Sequence, residues 1–275
     1  MKNISVIIPT IGNRDLIPTL KSIEQSSVIV NEIIISIPNA VNLNKNQFKS
    51  FKNIKIIKSK FKGQVAQRIE GFRVAQSDIV VQLDDDIILE RDCLKLMLAF
   101  IKKNNSSAIS AHFYDITKKK SIYDNLTSKK YNFLNYIMNG SKVEINGIIT
   151  RSGFETYPNF NCDKDVILSE WIPGGCVMHL KKNLILSNFF PYTGKAYCED
   201  LFHSIALKKN NIKLYYHTNA KAFLEIENIK SNFKKYIKHL RADFKIRKKL
   251  VKQNKLSKSR MFLVYIIKTI SYFFR

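Results

Sequence analysis

Cysteine is sparse and scattered in this 275-residue sequence: Cys93, Cys162, Cys176 and Cys198 form no C-x-x-C pair, and no histidine stands at zinc-ligand spacing from them. That excludes a structural zinc site or a redox motif, and reduced thiols in a cytosolic compartment fit best. Long hydrophobic runs are missing too. The opening Met1-Lys2-Asn3-Ile4-Ser5-Val6-Ile7-Ile8-Pro9 stops at a proline, too brief for a secretory h-region or a membrane span, and reads as a first strand. No internal repeat or low-complexity linker appears. Acidic residues are few, 22 against 46 Lys and Arg, for a formal net charge of +24. The excess is uneven, because Lys230 to Arg275 holds 15 basic residues against the single acid Asp243.

What is present suffices for a core. At 45% hydrophobic the chain is long enough for one large α/β domain or a domain with an appendage, and is not disordered. Four β-rich runs, Ile4 to Ile8, Glu32 to Ile37, Ile54 to Lys58 and Ile79 to Leu83, alternate with helix-like stretches. Leu16, Leu20 and Ile23 repeat at helical spacing, as do Val65, Ile69 and Phe72. This is the β-α-β pattern of a mostly parallel, doubly wound sheet, whose ligands bind at the carboxyl ends of strands. Pro9-Thr10 and Asp84-Asp85-Asp86 fall there. The stretch from Ser106 to Glu170 has weaker periodicity and reads as long loops. Beyond it, Trp171-Ile172-Pro173-Gly174-Gly175 enters a short strand, Lys181 to Leu186 looks helical, and Gly194-Lys195 leads to Glu199-Asp200 at the start of a helix. Ile212 to Tyr216 and Ala220 to Ile226 read as two further strands.

Three consecutive carboxylates after an apolar strand repel one another when desolvated, so Asp84 to Asp86 suggest a site for a divalent cation, and such a cation commonly binds a diphosphate. The plainer alternative is a turn or a cap for the helix that follows. Glu199-Asp200 divides likewise between a site and a favourable helix start. Arg68 could reach a ligand or face solvent, and Trp171 could stack on a sugar or fill the core.

Taken in order, these stretches resemble a family 2 glycosyltransferase of the GT-A fold, over about the first 225 residues. Ile4-Ser5-Val6-Ile7-Ile8-Pro9-Thr10 is similar to the family's opening strand and Pro-Thr nucleotide loop. Lys62-Gly63-Gln64-Val65-Ala66-Gln67-Arg68-Ile69-Glu70-Gly71 is similar to the Gly-x-x-x-x-Arg-x-x-Gly helix, and Val80-Val81-Gln82-Leu83-Asp84-Asp85-Asp86 to the DXD motif. Glu199-Asp200 resembles the Glu-Asp pair, 114 residues beyond Asp86.

The resemblance implies a Rossmann-like α/β fold: a mostly parallel central sheet flanked by helices, with a basic amphipathic helical extension. The catalytic domain would span 1–226, its nucleotide-sugar half about 1–105 and its acceptor half about 106–226, followed by a tail at 227–275. Pro9, Thr10, Arg68, Asp84, Asp85 and Asp86 would bind the nucleotide sugar. Asp86, with Asp84, would hold Mn2+ or Mg2+, which neutralises the leaving diphosphate. Asp200 would be the general base of an inverting displacement, with Glu199 orienting it or touching the acceptor. Trp171, Gly174 and Gly175 would face the acceptor.

Two departures stand out. Ile37 occupies the place where the family commonly has a base-recognising Asp, and Leu224-Glu225 replaces an expected metal-binding His. Glu225 is the candidate substitute ligand; the alternative is Asp86 with phosphates and water. His217 reads as a surface or loop residue.

In the tail, Phe233, Ile237, Leu240 and Phe244 recur at helical spacing among lysines and arginines, a basic amphipathic helix. Met261 to Phe274 is apolar but short, and is broken by Lys268. An interfacial anchor beside a polybasic segment fits, in preference to nucleic-acid binding. The expectation is therefore a nucleotide-sugar-dependent enzyme acting on a glycan or lipid-linked glycan of the cell surface, peripheral on the inner face of the cell membrane. The alternatives are a sugar-phosphate nucleotidyltransferase and a non-enzymatic basic membrane or nucleic-acid binder.

Overall fold

The computed structural model describes residues 3–124, 129–141, 147–190, 192, 196–226 and 232–273. Gly194-Lys195, Lys230 and Phe274 lie outside them. Four runs of β-branched and aliphatic residues form β1 (Ile4–Pro9), β2 (Glu32–Pro38), β3 (Ile54–Ser59) and β4 (Ile79–Leu83). Their pairings with one another are all parallel, with Val6 opposite both Ile33 and Val81. β1 and β4 are buried at every position, the near-continuous apolar signature of strands covered on both faces. α1 (Ile17–Glu24) and α2 (Gln64–Val74) supply crossovers, and α2 packs on β1 to β3.

The second half of the sheet mixes directions. It contains β5 (Ile88–Leu89), β6 (Ser107–Asp115), β7 (Val166–Ser169), β8 (Cys176–Leu180) and β9 (Lys213–Leu224), with α3 (Cys93–Lys103) and α5 (Glu199–Lys209). Among the described residues nine strands make one sheet in the order β3-β2-β1-β4-β8-β6-β9-β5, with β7 on β9. β6 and β9 are parallel, whereas β8 runs antiparallel to β4 and β6.

Several local expectations change. The stretch read as loops contains β6, β7 and α4 (Lys129–Asn139). The two strands expected around 212–226 are one, because the register against β6 slips between Ser110 and His112 and absorbs the polar His217-Thr218-Asn219 as a bulge. Lys181 to Leu186 makes only a short 3-10 turn at Lys181–Asn183.

The chain divides into two compact units, Met1–Ser121 with Asp163–Glu225, and Ile122–Cys162 with Ile226–Arg275. The segment 122–162, placed by sequence in the acceptor half, thus shares a unit with the tail. The second unit contains α4, α6 (Phe233–Gln253) and α7 (Lys258–Ile270) around a core of Met138, Phe154, Val251, Met261, Val264 and Tyr265.

Candidate active site

β1 and β4 lie side by side, so the chain leaves both at the same sheet edge and brings Thr10 to the aspartate turn. The Thr10 hydroxyl donates to Asp85 Oδ2 at 2.6 Å and accepts from the Gly12 amide at 3.1 Å. Pro9 ends β1 opposite Ser36, and its ring fixes the exit of the strand. Asp85, expected to touch the donor, is instead tied to its own fold, and burial raises its pKa against the pull of the Thr10 hydrogen bond. None of the three aspartates caps α3, which begins at Cys93.

Arg68 departs furthest from both sequence readings. Its side chain, only 2% exposed, neither faces solvent nor reaches outward. Nη2 donates to Asp84 Oδ1 at 2.8 Å and Nη1 to Glu199 Oε1 at 2.9 Å. One guanidinium fork thereby joins the β4 turn to the start of α5. Burial opposes its charge, but Glu199, Asp84 and Asp200 outweigh that and hold it protonated. Gln64, one helical turn earlier, donates to the same Asp84 oxygen at 2.8 Å. Burial pushes the Asp84 carboxyl up to about 6, with Arg68 pulling it down and Glu199 and Asp86 adding to the rise.

Asp86 is held differently: Arg14 Nη1 lies 2.7 Å from its Oδ2, on a half-exposed side chain. Arg14, Gln64 and Gln82 belong to the site although no sequence motif marks them by themselves. A signal existed for two of them, since Gln64 and Arg68 share a helix face at i, i+4 and Gln82 is a polar residue within an apolar strand.

Glu199 and Asp200 open α5 behind Cys198, whose φ of 55° is left-handed and strained for a residue with a Cβ. The Gly174 amide donates to Asp200 Oδ1 at 2.8 Å, and the Gly174 carbonyl accepts from Gln82 Nε2 at 2.7 Å. A Cβ at Gly174 would stand 2.7 Å from both Asp200 Oδ1 and Glu199 Oε1, so only glycine allows this approach. Gly175 accepts the Asp84 amide at 2.8 Å, which ties the Gly-Gly turn to the aspartate turn. Burial raises the Asp200 pKa well above the usual carboxylate range, and adjacent Glu199 raises it further. A carboxylate whose proton affinity is raised in this way is a stronger base than a solvated one.

Behind Arg68, His179 on β8 is pushed down to about 3 by burial and by the nearby cation, and His203 on α5 is lowered by burial, by neighbouring His179 and by Arg68. Both rings are neutral packing groups, 5.6 Å apart between centroids.

Trp171 is buried at 4% exposure, its ring edge-on to Tyr216 at 6.2 Å. The core reading therefore replaces the stacking one, and the indole anchors the strand entry. His217 is buried on β9 rather than on the surface. Glu225 is exposed just past β9 and, among the described residues, makes no hydrogen bond or ion pair with the aspartates. The β5–β9 register, Ile88 opposite Phe223, would set it across from Asp86 if carried two residues further.

No group of three or more metal-type side chains is preassembled among the described residues. The donors are nevertheless of the right chemistry: Asp84 and Asp86 are hard oxygen ligands, and Mg2+ or Mn2+ beside a diphosphate needs only one or two carboxylates. Glu199 Oε2 and Gln82 Oε1 are buried without a hydrogen-bond partner, acceptors suited to hydroxyl or ordered-water donors.

A family model described as Glycosyl transferase family 2 matches residues 5–154. No curated protein matches the chain. Among solved structures, GalNAc-T7 with UDP, GalNAc and Mn2+ superimposes with a TM-score of 0.61 at 14% identity, covering 82% of this chain and 43% of that one. S. aureus TarS 1-349 gives 0.55 at 12% identity, covering 96% of this chain and 69% of that one. The chain thus spans less than half the length of GalNAc-T7, and the likenesses establish the fold they share.

Proposed function

The chain belongs to glycosyl transferase family 2, and from that premise we propose that it moves a sugar from a nucleotide diphosphate onto an acceptor hydroxyl with inversion, Asp200 serving as the base. The observation that carries this reading is the Arg68 bridge. It joins a turn of hard oxygen ligands to Glu199, the chain neighbour of Asp200, a buried carboxylate of raised proton affinity, so the two halves of a displacement share one site.

The roles divide by chemistry. Asp86 and Asp84, with Glu225 as a further candidate, would hold Mn2+ or Mg2+; when bound, the ion neutralises charge on the departing diphosphate. The acceptor oxygen forms its bond to the anomeric carbon as the bond from that carbon to phosphate oxygen breaks. The diphosphate leaves with the electron pair, and the acceptor proton passes to Asp200. The Gly174 amide orients Asp200, and Glu199 is held by Arg68 beside it. Arg68, whose two Nη groups are taken up by Asp84 and Glu199, positions these groups rather than contacting the nucleotide. Gly174 and Gly175 shape the acceptor side. The family match favours sugar transfer over nucleotidyl transfer, and a cell-surface glycan, lipid-linked or free, is the proposed acceptor class.

A panel of nucleotide sugars tested for metal-dependent thermal stabilisation checks the donor half. One or more donors should raise the melting temperature only with Mn2+ or Mg2+, and Asp86→Ala should abolish the metal-dependent part. Stabilisation that ignored metal and survived Asp86→Ala would remove the aspartate turn from donor binding. The anomeric configuration of the product, read by NMR, decides inversion.

A further inference from the structure

α7 carries two apolar faces, and the second unit uses only one. Met261, Val264 and Tyr265 enter its core. Phe262, Leu263, Ile266, Ile270 and Phe273 do not: each is 44–67% exposed. The 262, 266 and 270 positions follow helical spacing, so these side chains form one continuous stripe, which Phe273 extends in the turn just past the helix. Lys268, which breaks the apolar run in sequence, does not interrupt the stripe, because its Nζ lies 4.3 Å from the centroid of the inward-facing Phe154 ring.

α6 contributes the complementary charge. Lys234, Lys238, Arg241, Lys245, Lys248 and Lys252 are exposed at spacings of four and three. They form a basic stripe along a helix of about 30 Å. The one acid of α6, Asp243, is turned away from it, held by Arg247 and the Tyr265 hydroxyl. The two stripes adjoin. Phe244 of α6 meets Phe262 at 5.3 Å between centroids, and Phe233 meets Phe273 at 5.4 Å. Phe233 and Ile237 in turn line a shallow groove with Lys234, Lys238 and Arg241.

We propose that this α6–α7 face of the second unit docks on an anionic lipid bilayer, the α7 stripe entering the acyl boundary and the α6 stripe lying on the headgroups. A nucleic acid would engage the cations but leave the exposed Phe and Ile side chains without purpose, and a second copy of the chain would bring like charges together. An anionic bilayer answers both stripes, since it pairs an apolar interior with negative headgroups. No described helix is long and apolar enough to cross a membrane, so the face lies on the bilayer. This differs from the sequence expectation, in which α6 supplied its own apolar edge; Leu240 and Phe244 pack against the unit's core instead. The inference does not depend on the glycosyltransferase reading of the first unit.

The test uses the full chain and co-sedimentation with two vesicle preparations, phosphatidylcholine alone and phosphatidylcholine mixed equally with phosphatidylglycerol. Binding is expected to the mixed vesicles only and to weaken as salt rises. Ile266→Ser with Ile270→Ser, and separately Lys238→Glu with Lys245→Glu, should each reduce binding by at least about tenfold. All four positions are exposed, and unchanged far-UV circular dichroism and melting temperature show that the fold is retained. Metal-dependent donor stabilisation should persist in both variants, so a docking defect is distinguishable from a failure of the active-site reading. Equal recovery with neutral vesicles, indifference to both variants, or tighter binding to a DNA duplex than to the mixed vesicles would overturn the proposal. So would a self-associated chain that Ile266→Ser with Ile270→Ser returns to monomer without any loss of vesicle binding.

Discussion

At the scale of single residues, Arg68 organises the site. A buried cation left without its partners costs about 3–5 kcal/mol, so Asp84 and Glu199 stabilise the fold as well as the site. Asp200, with a proton affinity raised by burial and by Glu199, has a clear pH consequence. It works as a base only when ionised, so turnover should climb as pH rises through its elevated pKa and then level off. Asp200→Asn should lower turnover by at least about a hundredfold and remove that rising limb while leaving donor stabilisation intact. Steady-state kinetics across pH measures both effects, and near-normal turnover would refute the assignment. Gly174→Ala probes the carboxylate pair without touching its charge. The added Cβ meets Asp200 and Glu199 oxygens at 2.7 Å, so they must move by something under about 1 Å, a misplacement that should cost about tenfold to a hundredfold in turnover.

At the scale of elements, α2 matters most because it carries Gln64, Arg68 and the glycine that lets it approach the sheet. A Cβ at Gly71 would lie 2.3 Å from Ile7 Cγ2, a stiff β-branched side chain buried in β1. Two effects oppose each other in Gly71→Ala: better helix propensity, worth up to about 1 kcal/mol, and overpacking, which costs about 1–3 kcal/mol. Overpacking should win, because Ile7 has no exposed space to move into. Denaturant unfolding is expected to show a net loss, with donor stabilisation weakened as α2 shifts Arg68. An unchanged or higher midpoint would mean that the sheet relaxes around the methyl. The alternation of β1 to β4 with α1 and α2 was legible in the sequence because apolar periodicity is written residue by residue. β6 was not, because its Ser107, Ser110 and His112 break the apolar pattern although the strand is nearly all buried.

At the scale of the whole molecule, the two compact units have separate cores, and Arg247 is the clearest point at which to test that. It is 5% exposed and pairs with Asp243 at 3.1 Å and Glu155 at 3.0 Å, while donating to the Gly153 carbonyl across 94 positions of sequence. Arg247→Met should destabilise the second unit by about 3 kcal/mol, the scale for breaking a buried ion pair. Hydrogen exchange should then report faster exchange in α6 and α7 with β1 to β4 still protected. Uniform loss across both units would show that they unfold as one. The sequence alone determined the alternating parallel half of the sheet, the acidic turn after β4, the acidic start of α5 and the concentration of positive charge at the C-terminal end. These are local properties, set by side-chain periodicity and by carboxylates standing next to one another. Only the tertiary structure decided that Arg68 faces inward to join Asp84 to Glu199, the latter 131 positions beyond Arg68 itself, that Trp171 fills the core, and that α7 keeps a second apolar stripe on its surface. Those outcomes depend on which elements become neighbours, and burial and ion pairing act across space without leaving a period in the chain.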